Sequence, residues 1–297
     1  MRRTKGKRKI RYGKLLLFLI IVFTLLFLLA VTIRQGYKYA VNYFSFDNND
    51  NPSYYLLVGI DNQPASQADA IIVAALNHKR EELTLISIPA NTLLNKDENK
   101  RLLLKESYKE DSIETTRSAV ENLLHTRITH YAVFDYNSFH NLLDNVSPVE
   151  LYVEKMMNHD NEEGESEIFL NQGYQSLDTT QSLAYMRYVD ETDGEIGRIQ
   201  REQRFLKQVL INLQKNTALF NWGLARYYWS AYDTNLRNSD VSDLAYDITK
   251  LSIKNCRFLI LPGEMQRVKN QEIWITNPVG VQKTIALTLN ELTLNEE

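Results

Sequence analysis

Residues 15–33, LLLFLIIVFTLLFLLAVTI, constrain this chain more than any other stretch. The run holds nineteen residues, no charge, and only Thr24 and Thr32 as polar members. As a helix it spans about 28 Å, close to the thickness of a bilayer's hydrocarbon core. A secretory signal is the other reading, but its apolar region is normally about 7–15 residues and precedes a small-residue cleavage site. Here the run passes into VTIRQGY without an A-x-A pattern, so a retained signal anchor is the expectation.

Charge gives the anchor a direction. Residues 1–14, MRRTKGKRKIRYGK, carry eight Lys/Arg and no acid, while residues 15–46 add only Arg34 and Lys38. That asymmetry orients the N-terminus to the cytoplasm and the body outside the cell membrane as a single-pass protein. The expected organisation is a basic tail at 1–14, a transmembrane helix at 15–33, a juxtamembrane linker at 34–53 and an extracytoplasmic body at 54–297. Tyr37, Tyr39, Tyr43, Phe44 and Phe46 follow the run, as aromatics do at a membrane interface. The formal net charge of −3 therefore hides two parts: of 34 basic and 37 acidic residues, 47–297 holds 24 and 37, a net of −13. A nucleic-acid arm is the competing reading of the tail, but fourteen residues beside an apolar helix fit a topology and anionic-lipid signal better. No nucleic-acid partner is expected. Cys256 stands alone, which excludes an internal disulfide and a zinc-thiolate cluster.

Past the linker, YYLLVGI (54–60), AIIVAALN (70–77) and ELTLISI (82–88) are short apolar runs between polar turns, the pattern of strands. The turn at 78–81 is short enough to make the second and third a hairpin. Asp111 and Glu114 frame a capping box before a helix with an apolar face at Ala119, Val120, Leu123 and Leu124. HYAVFDY and VELYV read as strands around the short helix SFHNLLDNV. The charged stretch 154–173 lacks periodicity and reads as a mobile loop. Asp178 and Gln181 cap a helix to Tyr188, and Gly197 precedes a longer one to about Asn216. Residues 218–232 and 240–254 read as helices, RFLILPG and EIWIT as closing strands, and 280–292 as a last helix. The fold class is α/β, a mixed central sheet flanked by helices.

The chemistry is less direct. G-x-S-x-G, P-loop, H-E-x-x-H and G-x-G-x-x-G motifs are all absent, and the five histidines lack ligand spacing. Asp61 ends the first strand and Asp69 precedes the second, so both belong to one connection at one end of the sheet. A hairpin would return Ile88, Pro89, Ala90 and Asn91 to the same end. Two carboxylates on one rim suit a hard divalent cation such as Mg²⁺; Asp61, Asn62, Gln63 and Pro64 also suit a plain turn. The second cluster is AYMRYVDETDGEIGRIQREQRFLK (184–207), with Arg187 near one helix end and Arg198 and Arg201 at i,i+3 on the next, beside Glu202 and Gln203. Arginines at a helix N-terminus suit a phosphate or pyrophosphate; equally they suit a solvated face paired with Glu191, Asp193 and Glu195.

The ordered series YLLVGIDNQ, ADAIIVAALN, LTLISIPANT, SAVENLLHTRITHYAVFDYNSF, QSLDTTQSLAYMRYVDETDGEIGRIQREQRFLK and LILPGEMQRVKNQEIWI resembles the LytR-CpsA-Psr family of bacterial, mostly Gram-positive, cell-wall proteins. The resemblance implies a membrane-anchored phosphotransferase that moves a polyprenyl-pyrophosphate-linked glycopolymer, such as teichoic acid or capsule, onto peptidoglycan. It implies Mg²⁺ on Asp61 and Asp69, catalytic roles for both, and pyrophosphate binding by Arg187 and Arg198. Arg201, Gln203 and Lys105 are further substrate-binding candidates.

The sequence departs from the family pattern at several of these positions. The third-strand motif I-P-R-D is Ile88-Pro89-Ala90-Asn91, and an arginine usual four residues later is Leu94. The helix motif R-x-R ends in Val189, and the glutamine expected four after Arg198 is Glu202. The K-x-N-x-x-Y element is blurred around Lys105 and Tyr108. Removing one preorganised donor costs roughly 10²–10³ in rate at such a site. A non-catalytic relative that binds lipid-linked substrate or envelope partners is therefore the competing expectation.

Overall fold

The computed structural model describes residues 51–60, 67–95, 101–108, 113–144, 147–160, 166–190, 192–215, 233–268 and 271–289. The basic tail, the apolar run, Asp61, Asp111 of the expected capping box and the helix expected at 218–232 lie outside them.

Three apolar runs build the centre: β1 (Ser53–Ile60), β2 (Ala68–Asn77) and β3 (Glu82–Ile88). β2 pairs antiparallel with β1 on one side and with β3 on the other, so the hairpin read from the short turn is present. Asn77 builds that turn, its Oδ1 accepting from the N–H groups of Lys79 and Arg80 at 3.1 and 2.9 Å. β4 (His130–Phe134) adds parallel to β1, and β10 (Cys256–Ile260) parallel to β3. With the two-residue β9 (Asp233–Thr234) at the edge the order is β10-β3-β2-β1-β4-β9, a mixed sheet.

Strand alternation divides the core into two layers. Tyr54, Leu56 and Val58 of β1, with Ile71, Val73, Ile86 and Ile88, meet Val120 and Leu124 of α1 (Glu114–Leu124) and Val281 of α6 (Pro278–Thr288). The opposite residues, Tyr55, Ile72, Ala74 and Leu85, meet Leu210 of α4 (Gly194–Lys215) and Leu244 and Ile248 of α5 (Asn238–Lys250). Because both faces are covered, these strands are apolar throughout instead of alternating.

A third cluster stands beside the sheet. It joins α2 (Tyr136–Asp144), β5 (Val149–Val153), β8 (Gly173–Leu177) and α3 (Thr179–Arg187) around Phe205 of α4. The charged stretch expected to be a loop contributes β6 (Met157–Asp160) and β7 (Ser166–Leu170), an antiparallel pair, which corrects that expectation. Among the described side chains of this pair only Met157, Ile168 and Leu170 enter the core, too few apolar positions to show a period of two.

β11 (Gly263–Val268), which the sequence pattern also hides, forms a hairpin with β12 (Gln271–Thr276). The long helix α4 begins at Gly194, three residues before the expected Gly197. Gly194 has φ of +53°, and the Gly197 N–H closes the first turn on the Asp193 carbonyl at 2.9 Å. α5 ends at Lys250, short of the expected 254, because Leu251 is extended and a 3₁₀ turn (Ile253–Asn255) follows.

Candidate active site

The end of β1 and the start of β2 meet in an irregularity. Gly59 pairs with Ala70 but the next residue, Ile60, pairs with Ala68, so Asp69 is the extra residue of a bulge. A bulge unpairs one residue and re-aims its side chain. Asp69 is exposed there, immediately across from the point where β1 runs into Asp61, which lies outside the described residues. β3 returns to the same rim through Ile88, which pairs with Ile71. Pro89, Ala90 and Asn91 then leave the sheet, pinned by the Thr92 N–H to the Pro89 carbonyl at 3.0 Å and the Trp274 N–H to the Asn91 carbonyl at 3.0 Å.

The first turns of α4 lie over this rim. Arg198 donates from Nη2 to the Asp69 carbonyl oxygen at 2.8 Å and to Glu195 Oε1 at 3.1 Å, and from Nη1 to Glu202 Oε1 at 2.6 Å. Glu195 Oε1 also accepts the Ala90 N–H at 3.0 Å, tying the β3 exit to the same helix. The arginine side chain is 12% exposed and its two carboxylate partners 13% and 10%. Burial pushes the Glu202 carboxyl up to about 7, although Arg198 pulls it back. For Arg198, burial works against the charged form, but Glu202 and Glu195 more than offset it and its pKa is raised. A guanidinium with this shell meets an anion only by exchanging partners.

Arg201 takes the other direction from α4. Its side chain is 1% exposed, with Nη2 on the Tyr188 carbonyl at 2.6 Å, Nη1 on Glu154 at 3.4 Å and its guanidinium 5.3 Å from the Tyr188 ring centroid. Glu154 also accepts from Arg204 at 2.7 Å and from the Tyr185 hydroxyl at 3.1 Å. Arg201 thus anchors the connection between α3 and α4, and does not share a site face with Arg198. Lys155 fixes the same connection, bonding Asp190 at 2.6 Å and also Asp193. Its ammonium holds the Asp190 carboxyl well below the usual range.

Gln203 is likewise positional: its amide donates to Ser87 Oγ at 3.0 Å and to the Leu259 carbonyl at 2.9 Å, bridging β3 and β10. Arg187 is exposed at the end of α3, its guanidinium 5.8 Å from the Tyr136 ring centroid. Lys105 is half-buried, and its N–H bonds the Ala90 carbonyl at 2.9 Å, which keeps it beside the rim. At the positions where the family resemblance leads one to expect arginines, Ala90 is buried, Leu94 packs against the core and Val189 is exposed.

Sequence reasoning missed Glu154 as an organiser, whereas Glu195 is one of the three acids it offered as partners of the arginines and does pair with Arg198. The i,i+3 spacing of Glu195 and Arg198 carried a usable signal. Nothing local marked Glu154, whose three partners come from two helices. Among the described residues no group of three His, Cys, Asp or Glu is placed to hold a metal. Asp69 supplies one exposed hard-oxygen donor, which suits Mg²⁺, an ion that takes one or two carboxylates and fills its shell with water and phosphate.

Known proteins of the same architecture place this rim in context. The family model LytR_cpsA_psr matches residues 30–288. A polyisoprenyl-teichoic acid–peptidoglycan teichoic acid transferase TagU of Enterococcus faecalis is 25% identical over 227 residues, covering 74% of this chain and 69% of the relative. The crystal structure of Bacillus subtilis TagV superposes with a TM-score of 0.69 at 20% identity, over 81% of this chain and 98% of that one. A structure of TagT bound to LIIa-WTA superposes with a TM-score of 0.65 at 20% identity, over 84% and 93%. With the family model spanning most of its length, the chain belongs to the LytR_cpsA_psr family.

Proposed function

We propose that the protein is a divergent membrane-anchored phosphotransferase that moves a glycopolymer from polyprenyl pyrophosphate onto peptidoglycan. The relatives named as teichoic acid transferases support this activity. The observation that carries it to specific residues is the seating of Arg198, 2.8 Å from the Asp69 carbonyl at the sheet rim. Anionic substrate and metal-binding carboxylate would share that rim.

In the reaction, a peptidoglycan sugar oxygen bonds to the glycan-side phosphorus and the bridging P–O bond breaks. Polyprenyl phosphate leaves with the electron pair, and the hydroxyl proton passes to solvent. Arg198 and the exposed Arg187 orient and neutralise the pyrophosphate, since arginine forks match phosphate oxygens. Lys105 adds charge from the β3 side. Arg201 and Gln203 hold α4 at the correct height. Asp69 and Asp61 would hold Mg²⁺, which would supply further neutralisation of the phosphate oxygens. The run 15–33 is the anchor that keeps the body outside the cell membrane, near a lipid-linked substrate.

A second reading rests on Arg198 itself. Two carboxylates already surround it, and Ala90, Leu94 and Val189 supply no replacement cation, as suits a non-catalytic binder of lipid-linked glycan. Full-length protein in proteoliposomes, given a lipid-pyrophosphate glycan, peptidoglycan and Mg²⁺, separates the two. The transferase releases polyprenyl phosphate and loses at least about 100-fold in rate on Asp69→Ala. Substrate retention without release, unaffected by Asp69→Ala, identifies the binder.

A further inference from the structure

The outer face of the β5–β8 pair carries an unusual surface for its position. Its inner residues Val149, Val153 and Leu177 are buried, so the outer face of such a ladder is ordinarily polar. Instead Tyr152 and Tyr174 stand directly opposite each other, rings T-shaped with centroids 5.0 Å apart. Tyr174 is 88% exposed and Tyr152 46%. A cross-strand aromatic pair stabilises a hairpin by only about 0.2–1 kcal/mol and needs no cavity beside it. Here the two rings border an open groove of about 360 Å³ whose polar walls are Glu150, Glu154, Arg204 and Gln208.

We propose that this groove binds an uncharged stretch of N-acetylated amino-sugar strand, the acceptor glycan of the transfer reaction. The identity of the acceptor rests on the proposed transferase function; the groove's chemistry stands independently. The negative ring face attracts the polarised C–H bonds of a sugar's apolar side, and rigid tyrosines give this contact at low entropic cost. Carboxylate, guanidinium and amide groups around the rings match hydroxyls and acetamides. Among the residues that line the groove, Glu154 pairs with Arg204 at 2.7 Å, which leaves Glu150 and a net charge of −1. That anion repels a phosphate-bearing glycopolymer and tolerates a neutral sugar. Arg204 and Gln208 lie on α4 about 9 and 15 Å along the axis from Arg198 at 1.5 Å per residue, on the Glu154 side of the helix.

The test is direct binding of an N-acetylglucosamine tetramer to full-length protein in nanodiscs, with no lipid substrate and no metal. The tetramer binds wild type. Tyr174→Ala and Tyr174→Leu weaken it at least about tenfold, whereas Tyr174→Trp retains it; Tyr174→Leu keeps an apolar cross-strand partner and so separates stacking from hairpin stability. Poly(glycerol phosphate) binding is unaffected by Tyr174→Ala. The proposal is overturned if the tetramer fails to bind, if Tyr174→Leu binds as wild type, or if poly(glycerol phosphate) is the ligand lost on Tyr174→Ala. Loss of transfer with tetramer binding intact would sink the transferase reading alone.

Discussion

At the scale of single residues, Glu202 is the most informative position. The family resemblance leads one to expect glutamine there, and the fold buries the glutamate against Arg198. Its carboxyl titrates near 7 when folded against an ordinary 4.5. Between those two pH values the folded state keeps a proton that the unfolded chain has released, so stability falls as pH rises through that window, by roughly 3 kcal/mol in all. Denaturant unfolding at pH 5 and pH 8 should show this loss in wild type, and Glu202→Gln should remove it. The same substitution deletes an anion within bonding distance of the guanidinium. Affinity for a lipid pyrophosphate at pH 8 should therefore rise at least about tenfold, since one charge contact at short range exceeds the ~1.4 kcal/mol that tenfold requires. Equal affinity in the two proteins would show that Arg198 does not meet the substrate. The spacing of Arg198, Glu195 and Glu202 was legible in the sequence. That all three turn inward to the rim was not, because helical spacing alone does not say which face a sheet will cover.

At the scale of elements, the starts of α3 and α4 have different jobs. Asp178 caps α3, its side chain accepting the Gln181 N–H at 2.8 Å while Gln181 returns a bond to the Asp178 N–H. Asp178→Ala should cost about 1 kcal/mol of stability, measured by urea unfolding, and leave lipid-pyrophosphate binding unchanged. Gly194 starts α4 with φ of +53°. A side chain there is strained by about 1–2 kcal/mol. Gly194→Ala should lower the melting temperature and also weaken pyrophosphate binding, because the next residue, Glu195, holds both Ala90 and Arg198. A stability loss without a binding loss would mean the helix start does not set the site. The Asp178 box could be read directly from D-T-T-Q, since capping is local chemistry. The β6–β7 and β11–β12 hairpins could not, because their pairing is supplied by partners and not by periodicity.

At the scale of the whole molecule, charge is divided along the chain. Eight cations precede an uncharged run of nineteen residues, and the remainder beyond residue 46 carries a net of −13. In oriented membrane vesicles, protease added on the outer side should digest the body and spare the tail. Neutralising the eight tail cations should produce mixed orientation, because the positive flank is what selects the cytoplasmic side. A single orientation retained without those cations would remove charge as the determinant.

The sequence by itself determined the strand–helix alternation, the apolar run with its charged flank and the family. The first two are written in local composition and periodicity, the family in an ordered series of motifs. The tertiary structure alone decided how the charges are used. It turned Arg201 inward to Glu154, set Gln203 between two strands, enclosed Arg198 between two carboxylates and aligned two tyrosines beside a polar groove. Those outcomes depend on contacts between residues distant in the chain, where burial and low dielectric, not spacing, choose the partner.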